Sequence, residues 1–100
     1  MTRYSDHIAQ DRRLVILRIL AEDRDYSVNC SVMQMALKGW GHGESRDVVR
    51  GDFAWLAEQG LVSVEALCES VHVAKLTPRG HDVAKGVASV PGVKRPGPEG

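Results

Sequence analysis

Two arginines in the stretch GESRDVVRGDFAWLAEQGLV, residues 43–62, have a spacing that suits contact with a nucleic acid. Arg46 and Arg50 are four residues apart, so on a helix they lie on one side of it. A guanidinium group donates paired hydrogen bonds to guanine edges and to phosphates, and Gly51 would let the helix backbone come close to a phosphate. If this helix enters a major groove, its N-terminal residues meet the base edges. The predicted DNA-binding residues of the helix are Ser45, Arg46, Asp47 and Arg50.

The charge of the same segment supports an alternative, a solvated helix face. Between residues 44 and 60, two basic residues accompany four acidic ones, namely Glu44, Asp47, Asp52 and Glu58. Over the whole chain, 13 Lys and Arg balance 13 Asp and Glu, so no general positive field attracts nucleic acid. The composition therefore argues against a non-specific DNA coat and leaves open whether the helix reads bases or only covers a core.

Further basic residues lie toward the C-terminus. Arg79 is beside the first turn of a predicted helix, where it would bind a phosphate together with backbone amides. Lys94 and Arg95, in the sequence VKRP, would contact the DNA backbone or form a docking peptide for a protein partner. We include these three residues in the predicted DNA contact, with a solvated surface as the alternative.

Residues that often carry metal or enzyme chemistry lack the spacing it requires. Cys30 and Cys68 form no CxxC pair, so we predict two reduced thiols and no metal site. No GxSxG, HExxH or phosphate-binding glycine loop occurs, which predicts a chain that is not an enzyme and uses no cofactor. We expect a cytoplasmic protein without membrane contact, because neither a signal-peptide pattern nor an apolar run of membrane-spanning length is present.

Apolar periodicity predicts four helices that would position these residues. They cover residues 6–21, 28–40, 45–59 and 78–86, with the caps Ser5 or Asp6, Ser27 or Asn29, Ser45, and Thr77. Gly60 and Gly86 are predicted to end the third and fourth helices. Residues 88–100, rich in proline and glycine, are predicted to form an extended or disordered tail after a domain at residues 1–87.

Between the third and fourth helices, LVSVEAL and VHVAKLT alternate apolar and polar residues, which predicts a two-stranded hairpin. Its tip, Cys68, Glu69 and Ser70, is acidic, with Glu65 nearby, and phosphate would repel it. We therefore expect the hairpin to contribute little to any DNA contact.

The two tryptophans have different predicted roles. Trp40 follows the apolar stripe of the second helix and is expected in the core. Trp55 lies off the main stripe of the third helix, which is compatible with burial inside the monomer, over the hairpin, or in a dimer interface.

The order of elements, namely two helices, a glycine turn, a third helix, a hairpin and a short helix, is that of a winged helix-turn-helix domain. The segment SRDVVRGDFAWLAEQGLV resembles the recognition-helix segment of DeoR-type winged-helix regulators, with matches at Val49, Arg50, Asp52, Phe53, Leu56, Gly60, Leu61 and Val62. KLTPRGHDVAKG resembles the strand-to-helix segment that closes the wing in such domains.

Taken from DRRLVILRIL to PGVKRP, the chain is similar to small winged-helix proteins of Mu-like prophages, often grouped with ArsR-like regulators. This resemblance implies a phage or prophage protein made in a bacterial host, and a DNA-binding transcriptional regulator. We expect a homodimer, which would place two helices against half-sites about 34 Å apart. The alternative is a winged-helix module that binds a phage or host protein and no DNA.

Overall fold

Residues 3–97, the part of the chain that this computed structural model describes, fold into four helices and one small sheet. In chain order the elements are α1 (Tyr4–Glu22), β1 (Ser27–Asn29), α2 (Cys30–Gly39), α3 (Arg46–Glu58), β2 (Val62–Ala66), β3 (His72–Leu76) and α4 (Pro78–Lys85). The prediction of a mainly helical chain with a small antiparallel sheet is confirmed. Among the described residues, no helix is both long enough and apolar enough to cross a membrane.

Helix α1 matches its predicted bounds within two residues but begins differently. Arg3 is the N-cap residue, and the Asp6 carboxylate accepts the backbone N–H of Arg3 at 3.2 Å. Neither Ser5 nor Asp6, the two predicted N-caps, has that role, because both lie inside the helix. Asp6 acts from the first turn, where a negative charge stabilises a helix. The buried side of α1 supplies a large part of the core, with Leu14, Val15, Ile16, Leu17 and Leu20.

The residues expected to start the second helix form a strand instead. Val28 lies in β1 and pairs with Ala74 of β3, and α2 begins only at Cys30. The Asn29 carboxamide oxygen accepts the Val32 backbone N–H at 2.8 Å, so Asn29 is the cap among the two alternatives. A three-residue strand is too short to show an alternating pattern, and its hydrogen-bonding partner lies more than forty residues later in the chain.

The predicted turn and caps around α3 are confirmed. Gly41 adopts a φ of 84°, and the His42 N–H bonds to the Leu37 carbonyl at 2.9 Å, which closes the end of α2. The Ser45 hydroxyl accepts the Val48 N–H at 3.2 Å and begins α3. Gly60, with a φ of 75°, follows the end of α3 as predicted.

The sheet is the predicted hairpin with one strand added. Strands β2 and β3 pair antiparallel from Val62↔Leu76 to Ala66↔His72, and β1 joins the other edge of β3, so that the strand order is β1-β3-β2. Only the first residue of β2 is buried. The outer part of the hairpin and the loop of residues 67–71 therefore extend away from the core.

Helix α4 packs closely on the start of β2. The Thr77 hydroxyl accepts the Gly80 N–H at 3.0 Å with Pro78 in the first turn, as predicted. A Cβ atom at Gly80 would lie 2.0 Å from the Leu61 carbonyl oxygen, so this contact requires glycine. The predicted end at Gly86 is also confirmed, with a φ of 80°.

The segment that follows α4 lies against the helices. Residues 88–97 contain no helix or strand. Val90 and Val93 are nevertheless buried in the core cluster, and the Lys94 N–H bonds to the Gln10 carbonyl at 3.1 Å. Residues 98–100, also assigned to the predicted tail, lie outside the described residues.

The prediction that Trp40 lies in the core is wrong. Trp40 is 47% exposed, because α2 ends at Gly39 and the chain leaves the helical path at Trp40. The Arg18 guanidinium lies 5.6 Å from the centre of the Trp40 ring, a cation–π contact at the surface.

Candidate nucleic-acid interface

A buried ion pair fixes the rotation of α3 about its own axis. Arg12 of α1 donates to both carboxylate oxygens of Asp52, from Nε at 2.5 Å and from Nη2 at 3.1 Å. The hydrogen bond that Arg12 donates to Asp52 raises the pKa of Arg12 despite the opposing effect of burial. Arg12 also lies 3.5 Å from the Glu44 carboxylate. Two of the four acids counted against DNA binding therefore neutralise a buried arginine.

The turn before α3 is held by a second polar cluster. The buried His42 side chain lies 2.7 Å, Nε2 to Oδ2, from Asp11 of α1, whose other carboxylate oxygen accepts from Lys94 at 3.2 Å. Burial raises the pKa of Asp11, but hydrogen bonds and charges from His42 and Lys94 outweigh it, so this pKa lies below its ordinary value. The cluster joins α1, the turn and the C-terminal segment.

Arg46 lies between α3 and the first turn of α2. Its Nη2 donates to the Ser31 hydroxyl at 3.2 Å, and the side chain is only half-buried. The contact orients the guanidinium toward α2, at the N-terminal end of α3. No pattern in the sequence indicated Ser31, because the contact depends on how the two helices cross.

Arg50 connects α3 to the hairpin loop. It pairs with Asp47 one turn earlier, and its Nη1 donates to the Ser70 backbone carbonyl at 3.1 Å. The Arg50 side chain is 23% exposed, whereas that of Asp47 is 85% exposed. Arg46 and Arg50 therefore lie on the same side of α3, as predicted, between α2 and the hairpin loop.

The hairpin loop is exposed and acidic, with apolar side chains among its acids. Residues 63–70 are all exposed, including Glu65, Leu67 and Glu69. The Cys68 thiol lies 3.5 Å from the Ser70 hydroxyl, and hydrogen bonds with Ser70 lower the pKa of Cys68. The loop presents no Lys or Arg of its own, so Arg50 supplies the positive charge beside it.

The three other predicted contact residues lie apart from the N-terminal end of α3. Arg79 donates to the Gln59 carbonyl at 3.2 Å, at the opposite end of α3. Lys94 is paired with Asp11, close to the turn that precedes α3. Arg95 lines a groove at the C-terminal ends of α1 and α4. Only Lys94 of these three is near the α3 site.

Trp55 is partly buried, and its ring contacts α1 and the C-terminal segment. The Arg13 guanidinium carbon lies 4.1 Å from the centre of the Trp55 ring, and Arg13 also donates to the Gly92 carbonyl at 2.8 Å. A Cβ atom at Gly92 would come within 2.6 Å of the ring, so the C-terminal segment lies directly on it. The suggested role of Trp55 as a dimer anchor stays a prediction.

Candidate metal ligands do not come together in the described part of the chain. No group of three or more His, Cys, Asp or Glu side chains is arranged to hold an ion there. Cys30 is buried and Cys68 is exposed, and both are free thiols. Both thiols contact Ser70. The Cys30 thiol donates to the Ser70 backbone carbonyl at 3.4 Å, and the Cys68 thiol lies 3.5 Å from the Ser70 hydroxyl.

This arrangement defines the class of the molecule: a mainly helical unit that presents one helix end beside a three-stranded antiparallel sheet. The chain is similar to gp26, an uncharacterized protein of Escherichia phage Mu, at 54% identity over 94 residues, which cover 94% of this chain and 96% of the Mu protein. It is also similar to an uncharacterized protein of Haemophilus influenzae, at 43% identity over 76 residues, 76% of this chain and 74% of that protein. The chain belongs to the family of Mu gp26, so the predicted relation to Mu-like phage proteins is confirmed. No protein-family model and no solved structure matches the chain.

Proposed function

We propose that the chain is a winged-helix DNA-binding protein, a transcriptional regulator of Mu-like phage that uses α3 as its recognition helix. The element order α1, β1, α2, α3, β2, β3 and the strand order β1-β3-β2 support the winged-helix assignment. In this assignment, α2 and α3 form the helix-turn-helix and the loop at residues 67–71 is the tip of the wing.

One observation carries the proposal: the N-terminal half of α3 places two partly exposed guanidinium groups on one side of the helix, between α2 and the hairpin loop. Arg46 and Arg50 are turned away from the core because Asp52, on the opposite side of α3, is fixed to Arg12. A helix rotates by about 100° per residue, so Arg46 and Arg50 are about 40° apart around its axis, whereas Asp52 is about 160° from Arg50.

On binding, the two arginines exchange weak contacts within the chain for contacts with DNA. Arg50 leaves Asp47 and the Ser70 carbonyl and donates to a guanine edge or a phosphate. Asp47, once released, accepts from a cytosine amino group. Because the space around Gly51 is open, the helix backbone can approach a phosphate, and Lys94 contacts the DNA backbone beside the turn.

A selection experiment tests the proposal. Fragments of a Mu-like phage genome are incubated with the purified full chain at low and at physiological salt, and the bound fragments are sequenced. We expect enrichment of a short inverted repeat that persists at physiological salt, with half-sites about one DNA turn apart for a homodimer. Weak binding without a sequence motif, lost when salt is added, would contradict the proposal.

A second candidate function, contact with a phage or host protein, is favoured by the composition of the exposed surface near the same site. The wing exposes Leu67, at 62%, beside Glu65 and Glu69, and α2 exposes Val32 and Met35, at 47% and 68%. Apolar side chains with acidic neighbours suit a protein partner better than a phosphate backbone.

Removal of the acidic charge at the wing separates the two candidates. In the DNA-binding proposal, Glu65→Gln with Glu69→Gln strengthens binding to DNA, because two repulsive charges next to the phosphates disappear. We expect an increase of several-fold at low salt, and the surface variant Asp25→Asn, on the loop after α1, provides the matched control. An unchanged affinity for DNA would place the wing outside the DNA contact, whereas no measurable DNA binding by either protein would favour the second candidate.

A further inference from the structure

A groove on the side of the molecule away from the N-terminal end of α3 has the properties of a ligand site. It has a volume of about 480 Å³ and lies between the C-terminal turns of α1 and α4 and the last described residues. Sites for small molecules typically have volumes of about 300–1,000 Å³. None of the sequence patterns predicted this groove, because its walls come from three separate parts of the chain.

The walls of the groove carry a positive charge. Arg18 of α1, Lys85 of α4 and Arg95 of the C-terminal segment all line it, and Glu22 is the acidic residue among them. Three positive charges and one negative charge leave a net charge of +2 around one cavity. The whole chain is neutral, so the groove carries a local excess of positive charge.

The rest of the lining is small and apolar. Ala21, Ala84 and Pro96 lie between the charged side chains. Such a surface accepts a compact hydrocarbon or planar group, while the surrounding cations bind acidic oxygens. The groove is therefore suited to an organic anion larger than an inorganic ion.

The position of Arg18 relates the groove to the helix-turn-helix. Its guanidinium lies over Trp40, directly after α2, whereas the first turn of α2 contacts Arg46 through Ser31. α2 has ten residues, a length of about 15 Å, so the groove and the α3 site are at opposite ends of one helix. A ligand in the groove would leave the α3 surface free.

We propose that this groove binds a small organic dianion, a phosphate monoester or a dicarboxylate, through Arg18, Lys85 and Arg95. The net charge of +2 matches two negative charges on the ligand. Arg18 and Arg95 donate paired hydrogen bonds to its acidic oxygens, and Lys85 contributes a third donor. The proposal does not depend on DNA binding and is tested without DNA.

Titration of the full chain, followed by backbone amide NMR, tests this site. The probes are phenyl phosphate and succinate, with benzyl alcohol as the uncharged control. We expect saturable shifts of amides at the ends of α1 and α4 with at least one dianion, and no saturation with benzyl alcohol. A response to phenyl phosphate alone, or to succinate alone, identifies which of the two anions the groove takes.

Variants assign the binding to the groove. Arg18→Gln with Arg95→Gln is expected to weaken binding at least tenfold, and Lys85→Gln, a change at an exposed side chain, to weaken it severalfold without a change in folding. Arg24→Gln, on the exposed loop after α1, is the matched control and should bind as the parent chain does. Shifts that do not saturate with either anion, or equal binding by Lys85→Gln and Arg24→Gln, would overturn the proposal.

Discussion

Arg12 of α1 and Asp52 of α3 form a two-point ion pair in the core, with their side chains 9% and 6% exposed. The pair is the polar connection that orients α3, because Asp52 lies on the side of the helix opposite to Arg46 and Arg50. Asp52, one of the four acidic residues of the segment, therefore serves to orient the helix that carries the two arginines.

Replacement of Asp52 by alanine should destabilise the fold strongly. It leaves the Arg12 guanidinium buried without its main partner, which typically costs about 3–5 kcal/mol of unfolding free energy. Urea denaturation measures the loss, and Asp47→Ala, an exposed acid on the same helix, provides the control, with an expected change within about 0.5 kcal/mol. Equal stability of the two variants would show that the pair does not hold α3.

Replacement of Gly51 by alanine should separate stability from DNA binding. Gly51 is exposed within α3 and an added Cβ meets nothing within 4 Å, so the variant should gain about 0.5–1 kcal/mol in unfolding free energy. Thermal unfolding measures this gain. In the proposed complex the same methyl group lies between helix and phosphate, and we expect several-fold weaker binding to the selected DNA fragment. A variant that is more stable and binds equally well would contradict the close approach.

The local signals in the sequence were sufficient for most of the secondary structure. Ser45, Gly60, Thr77 and Gly86 each act through neighbours within a few residues, so their roles are visible in the chain itself. The presence of β1 and the exposure of Trp40 were not predictable in this way. The strand β1 forms only because it pairs with β3, which is distant in sequence. Trp40 follows the last residue of α2, so the helical spacing no longer determines which way its side chain points.

The burial of the C-terminal segment makes it a contributor to stability. Val90→Ala and Val93→Ala each remove buried side-chain volume and should each cost about 1–3 kcal/mol of unfolding free energy. Val87, which is 78% exposed, provides the matched control, and Val87→Ala should change stability by less than about 0.5 kcal/mol. Chemical denaturation of the three variants makes the comparison. Equal changes in unfolding free energy for the three variants would show that residues 88–97 do not pack on the domain in solution.

The contacts of Asp11 with His42 and Lys94 predict that the free energy of unfolding depends on pH. The folded pKa of Asp11 is lowered, so its contribution is present above its unfolded pKa, about 4, and is lost as the pH falls through the folded value. Asp11→Asn should therefore be less stable than the parent chain at pH 7, and this difference should shrink below about pH 4. Denaturation at several pH values measures it, with Asp25→Asn as the control. A difference that is constant between pH 3 and pH 7 would contradict the role of the carboxylate.

The sequence predicted which side of α3 carries the two arginines, but not the residues that they contact. The spacing of Arg46 and Arg50 placed them on one helix side, and the structure agrees. Their partners Ser31 and Ser70, and the separation of Arg79 and Arg95 from the site, follow from the packing of elements that are distant in sequence. Side-chain spacing determines the face of a helix, but tertiary packing determines what that face contacts.

Recognition of DNA by α3 is tested most directly by a comparison of two proteins on two DNA duplexes. The parent chain and the Arg46→Ala, Arg50→Ala variant are titrated onto the selected fragment and onto a shuffled duplex of the same composition, over a range of salt concentrations. We expect the parent chain to prefer the selected fragment by roughly a thousandfold or more. The variant should lose this preference while it remains folded by circular dichroism. A variant that keeps the preference, or a parent chain that binds both duplexes equally, would contradict recognition of DNA by α3.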